Sequence, residues 1–118
     1  MVVRYVTPIK WILHRGRLLA FMAKHGEGSL TAECRRILAE LDPVALGYPD
    51  TRGAAIAVLR DSGRLLGIAA ATDWGRACCI VVTHPSARGQ EIGSRLKQAL
   101  ALRIGKLHCD QTRLTGSE

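Results

Sequence analysis

The sequence predicts a single mixed α/β domain in the order β-α-α-β-β-β-α-β, and three features predict it. Two helical patterns occupy the first forty residues. Two strand-like runs, Ala54–Arg60 and Arg64–Ala71, then flank the short connection Asp61-Ser62-Gly63. Finally the apolar run Ala77–Thr83 leads through a glycine-bearing turn into a third helix, and a fifth strand follows. Strand, turn, helix and strand make a βαβ unit, so the fourth and fifth strands are expected to be parallel. The hairpin makes the remainder antiparallel.

Each element has its own warrant. Val2–Thr7 alternates as a short first strand. Thr7-Pro8 reads as a helix start, with Thr at the N-cap and Pro at the first helical position. Ile9, Ile12, Gly16, Leu19 and Ala23 recur at spacings of three and four, which predicts one apolar face, with Lys10, His14, Arg17 and Lys24 away from it. The second helix is expected over Ser29–Leu41, with Leu30, Cys34, Ile37, Leu38 and Leu41 as its stripe and Pro43 as its end. Gly47–Gly53 has the composition of a loop. The run Ala77–Thr83 carries three β-branched residues and is expected at the centre of the sheet. Pro85–Gly93 is the glycine-bearing turn. The helix after it presents Ile92, Leu96, Ala99 and Leu100 inward, reaches Ile104 and is capped by Gly105. Lys106–Asp110 is the expected fifth strand.

At 118 residues the chain fits one domain, 1–118, and can bury roughly two thirds of its unfolded surface without a metal or disulfide staple. Within it, 1–53 holds the first strand and two helices, 54–110 the hairpin and βαβ core, and 111–118 a patternless tail. Seventeen basic and ten acidic residues give a formal charge of +7, which favours anionic partners in general. Nucleic acid belongs to that class, although no base-reading motif accompanies the charge. Cys34, Cys78, Cys79 and Cys109 form no CxxC pair and have no His at zinc-ligand spacing, so no metal is expected. Buried free thiols in a reducing cytosol are the expectation. His14-Arg15-Gly16-Arg17 interrupts the apolar N-terminal stretch, which argues against a signal peptide. No run of eighteen apolar residues suggests a membrane span. A soluble cytoplasmic protein without a membrane partner is expected.

The segment carrying chemistry is Val82-Thr83-His84-Pro85-Ser86-Ala87-Arg88-Gly89-Gln90-Glu91-Ile92-Gly93-Ser94-Arg95-Leu96. A strand here enters a tight turn whose peptide N–H groups open a helix. Such groups, with the positive end of the helix dipole, suit an anion such as a diphosphate. Arg88 and Arg95 add to the field, and Gly89 and Gly93 allow close backbone approach. Neither GxxxxGK[ST] nor GxGxxG is present.

His84-Pro85, Arg88–Ser94 and Leu96 resemble motif A of the GNAT acyl-coenzyme A-dependent N-acyltransferases, an Arg/Gln-x-x-Gly-x-Gly/Ala turn between the fourth strand and the third helix. The element order matches through the fifth strand. The resemblance implies a GNAT-like fold, truncated after that strand, because the family continues with a helix and two more strands. It also implies acetyl-CoA as co-substrate. The backbone of Val81 and Thr83, with Val82 between them, would pair with the pantetheine arm. The N–H groups of Arg88, Gly89, Gln90, Glu91, Ile92, Gly93 and Ser94 would hold the diphosphate. Glu91 stands where the family places its central glycine, which sets a carboxylate near the phosphates.

The implied reaction is direct transfer of an acetyl group to a primary amine of a small molecule or protein. The family's general-acid tyrosine has no counterpart here, since the two tyrosines, Tyr5 and Tyr48, lie far upstream. His108 and Asp110, on or just after the fifth strand, are the weak candidates for the base. His84 is expected to be structural, and Asp50 lies in a loop that could border the acceptor. Trp11 reads as core, whereas Trp74 sits in a turn. The fifth strand would leave an exposed edge, an invitation to homodimerise. The alternative reading is a catalytically inactive GNAT-fold module that binds coenzyme A, a protein partner or nucleic acid.

Overall fold

A computed structural model describes residues 2–26 and 28–108. Strand β1 (Val2–Tyr5) runs into α1 (Pro8–His25), where the Thr7 hydroxyl accepts from the Lys10 amide at 3.2 Å and Pro8 opens the helix. Helix α2 spans Ala32–Ala39, capped by Thr31 rather than beginning at Ser29, because the Thr31 hydroxyl takes the Cys34 amide. A 3-10 turn, Pro43–Gly47, follows it, and the expected loop Gly47–Gly53 contains the one-turn helix α3, Pro49–Arg52. Strands β2 (Ala55–Asp61) and β3 (Arg64–Thr72) form the hairpin, with Ser62 and Gly63 both left-handed at the turn. Strand β4 (Cys78–Thr83) and helix α4 (Ile92–Ile104) complete the described elements.

The four strands lie in chain order, β1-β2-β3-β4, and every neighbouring pair is antiparallel. Helices α1 and α2 cover one face and α4 the other. Trp11, Leu18, Met22, Leu38, Ile56, Ile68, Ile80 and Val82 pack together on the first side. On the second, Ala55, Ala57, Ala69 and Ala71 leave room for Leu96 and Leu100 of α4. Alternate residues of β2 and β3 are buried on both faces, so these two strands form the middle of the sheet. Gly67 marks the closest approach of α4, since a Cβ there would meet Ile92 and Leu96 side-chain carbons at 2.8 Å.

Four expectations are corrected. The buried face of α1 is Trp11, Leu18, Leu19 and Met22, while Ile9 and Ile12 are exposed. Both series fit a helical period, and the Trp11 series carries the larger buried volume. Second, β4 pairs only with β3 among the described residues and stands at an edge, not the centre. Third, Lys106–His108 lie in no strand, and Cys109 and Asp110 fall outside the described residues. Fourth, a disulfide joins Cys34 of α2 to Cys78 of β4, with Cα atoms 5.6 Å apart, and no described cysteine is a free thiol. The two cysteines face each other because Cys78 points to the α2 side of the sheet.

Candidate functional site

The turn between β4 and α4 is built from local hydrogen bonds. Along β4 the side chains of Cys78, Ile80 and Val82 are buried, and those of Cys79, Val81 and Thr83 are half-buried toward the other face. Just past the strand, the His84 amide donates to the Leu66 carbonyl at 2.8 Å. Antiparallel pairing alternates, so the backbone groups of Val82 and Ile80 also point toward β3. Those of Val81 and Thr83 therefore point away from β3, to the side that no described residue pairs.

After the strand, Pro85–Ala87 forms a 3-10 turn. His84 supports it, with Nδ1 accepting from the Ser86 amide at 3.1 Å. Arg64 donates to the Ser86 hydroxyl at 3.2 Å, and Ala87 is buried against the α4 side of the core. The chain then leaves through Gly89 at φ +89°, a conformation suited to glycine, and Glu91 at φ +58°. Glu91 is the N-cap of α4, yet its carboxylate makes no capping hydrogen bond and its side chain is exposed. The first N–H groups of α4 consequently have neither an intrahelical acceptor nor a side-chain cap. They border an open cleft of about 360 Å³ lined by Thr83, Ala87, Arg88, Gly89, Glu91, Ile92, Gly93 and Ser94.

Glu91 lines this cleft, and its exposed carboxylate makes no capping bond to the helix start. Gly93 leaves ordinary space at its floor: a Cβ there would lie 3.5 Å from Val81 and 3.9 Å from Thr83. The amides at the start of α4 suit an anion such as a diphosphate, whereas the Arg88 amide donates to the Pro85 carbonyl and Glu91 sets a carboxylate on the rim. Gln90 is exposed on the outer side, where it lines a neighbouring hollow with Arg64 and Ser86.

One neighbour of the turn escapes any reading of the sequence. His25, at the last turn of α1, sets its ring tilted against that of His84 with centroids 4.5 Å apart, and the Phe21 ring meets His25 edge-on at 4.8 Å. Arg88 donates to the His25 carbonyl at 3.2 Å across a separation of 63 residues. Loss of solvent lowers the His25 pKa below the ordinary histidine value, and the charges of His84, Lys24 and Arg88 lower it further. No motif announces this contact, since it depends on how α1 crosses the sheet.

His108 lies elsewhere. Its amide donates to the Trp74 carbonyl at the β3–β4 turn, the end of β4 remote from Gly93, and its Nε2 lies 3.5 Å from the Arg76 guanidinium. Asp110 is outside the described residues. Asp50 is exposed on α3, and Trp11 is fully buried in the core. Tyr5 donates to the Ala99 carbonyl at 2.8 Å, tying β1 to α4, and Tyr48 is exposed at the end of the Pro43–Gly47 turn. Neither tyrosine lines the cleft. The described residues contain no His/Cys/Asp/Glu cluster fit for a metal. No described helix is long and apolar enough to cross a membrane.

The four-stranded antiparallel sheet, with helices on both faces and an uncapped helix start beside β4, is a mixed α/β architecture consistent with a GNAT-like fold. A crystal structure of a ribosomal-protein-alanine N-acetyltransferase from Brucella melitensis biovar Abortus 2308 matches it with a TM-score of 0.51. That match covers 91% of this chain and 76% of the other at 16% identity, a likeness of fold. No family model and no curated protein matches the sequence.

Proposed function

We propose that the chain is a GNAT-type N-acetyltransferase that moves an acetyl group from acetyl-CoA to a primary amine of a small molecule or protein. The observation that carries this reading is the uncapped start of α4 opening beside the edge of β4 that no described residue pairs. Peptide N–H groups over Gly89–Ser94 would take the diphosphate, since the Arg88 amide donates to the Pro85 carbonyl. The outward backbone groups of Val81 and Thr83 would pair with the amide-bearing pantetheine arm as an added strand. The thioester would then lie along β4, where a backbone N–H can meet the oxyanion formed when the amine attacks. The new C–N bond replaces the C–S bond, the amine gives up a proton, and the thiolate gains one. Positioning supplies most of the rate in such a site. A free amine has a pKa of about 10, so a base must accept its proton.

A second reading has its own support. Tyr5 is held by Ala99 and Tyr48 stands at a distant turn, so neither supplies an acid at the cleft. The same cradle without an acid would make a module that binds coenzyme A and transfers nothing.

Calorimetric titration with acetyl-CoA and with coenzyme A tests both, alongside Gly89→Glu. That substitution strains a left-handed turn with open space around it and adds a second carboxylate. The expected result is saturable binding that the variant weakens at least about tenfold, or ~1.4 kcal/mol. Thiol release in the presence of amines then supports the enzyme, and binding without release supports the module. Absence of heat at millimolar ligand would sink both.

A further inference from the structure

The outward side of α1 carries an apolar strip that no described residue covers. Ile9, Ile12 and Leu13 are 68%, 63% and 69% exposed. Gly16, Ala20 and Ala23 continue the same side toward the C-terminus. Beside the first turn stands the Pro43–Gly47 turn, where a Cβ on Gly47 would touch the Pro8 ring at 3.5 Å. It brings Val44 and Tyr48, both more than half exposed, alongside. Exposed apolar residues scattered singly are ordinary, but five together on adjoining segments mark a docking surface.

The charge along the α1 part of the strip has one sign, whereas exposed Asp42 and Asp50 flank Val44 and Tyr48. Lys10, Arg17 and Lys24 recur every seven residues along one flank. Arg4 and Arg60 meet Lys10 and His14 around a shallow hollow between α1 and the first two strands. The first 26 residues hold five Lys or Arg and no Asp or Glu. Among the described residues, no carboxylate pairs with Arg4, Lys10, Arg17 or Lys24.

We infer that α1 docks the protein in the plane of an anionic lipid surface. The strip stands on the convex flank of a helix, so its occupant must mould around it. A second copy packed α1 against α1 would set one cationic row against another. An anionic bilayer satisfies both requirements: its acyl boundary accepts Ile9, Ile12 and Leu13, and its phosphates accept the cationic flank. Tyr48 suits the headgroup layer. The helix lies on the surface, since it is not apolar enough to cross. Arg88 is held at the far end of α1, roughly 20 Å from this patch, so docking leaves the α4 cleft open.

Co-sedimentation of the full chain with vesicles decides the matter, using phosphatidylcholine alone or with about 30% phosphatidylglycerol at about 0.1 M salt. Binding to the anionic vesicles at least about tenfold tighter than to the neutral ones is expected. The triple change Ile9→Ser, Ile12→Ser, Leu13→Ser should weaken it at least about tenfold, as should Lys10→Glu, Arg17→Glu, Lys24→Glu. An unchanged melting temperature confirms that the variants fold. Should either triple variant fail that check, Leu13→Ser and Arg17→Glu alone give the same readout at smaller amplitude. Failure of the anionic vesicles to bind, or equal binding by the apolar triple variant, would overturn the inference. So would preference for an acidic amphipathic helical peptide over lipid.

Discussion

Helices α1 and α4 cover opposite faces of one sheet and solve the packing problem differently. Helix α4 has one apolar face, Ile92, Leu96, Ala99, Leu100 and Ile104, and that face is buried. Apart from Leu102, its outer side is small or polar. Helix α1 has two apolar faces. Trp11, Leu18 and Met22 enter the core, and Ile9, Ile12 and Leu13 stay in water. A helix with one apolar face is positioned by its sequence, whereas a helix with two is positioned by whichever face fills the larger void. The surplus face is then free for something else.

Paired substitutions test that contrast most strongly. Trp11→Ala should destabilise by about 4 kcal/mol, because a fully buried indole leaves a cavity. Ile12→Ala, in water and with improved helix propensity, should change stability by less than about 0.5 kcal/mol. Urea denaturation of the two variants reads the difference, and equal losses would break the assignment of faces. On the α4 side, Gly67→Val should cost about 2–3 kcal/mol by pushing against Ile92 and Leu96. A neutral result there would mean that α4 sits farther from β3.

Smaller effects sharpen the picture at the turn. Glu91→Gly should stabilise the fold by about 1 kcal/mol, since Glu91 holds a left-handed backbone that glycine adopts at little cost. The same change removes a carboxylate from the rim of the cleft and should tighten coenzyme A binding. Loss of stability in the thermal melt would contradict it. The smallest effect is a pH dependence from His25, whose pKa is lowered first by desolvation and then by His84, Lys24 and Arg88. A depressed pKa means that the unfolded chain binds the proton more readily. Stability from this group is therefore full above the ordinary histidine value near 6.5 and declines as pH falls toward the folded-state pKa. Melting curves between about pH 5 and 8 should show a shallow slope that His25→Gln removes.

Much of the architecture was legible because local rules agreed with tertiary packing. Thr7-Pro8 gave the start of α1, Asp61-Ser62-Gly63 the hairpin and Gly105 the end of α4. The parity of the β3–β4 ladder turns the backbone groups of Val81 and Thr83 away from β3. The misreadings have physical causes. The Ile9–Ala23 series and the Trp11–Met22 series share the helical period, and periodicity cannot weigh volumes. Ala77–Thr83 looked central because it is continuously apolar, yet β4 is covered by helices on both faces while it stands at an edge. The Arg88–His25 contact and the Cys34–Cys78 bridge join residues far apart in sequence, where no local pattern reaches.

In the proposed function the first amides of α4 would cradle a diphosphate while the edge of β4 would receive the arm attached to it. Backbone amide resonances of the isotopically labelled chain, followed during titration with coenzyme A, test it directly. The account predicts saturable shifts over Arg88–Ser94 together with Val81 and Thr83, and smaller ones on β1 and the outer face of α1. Shifts centred on Trp74, Arg76 and His108, or no shifts at millimolar ligand, would contradict it.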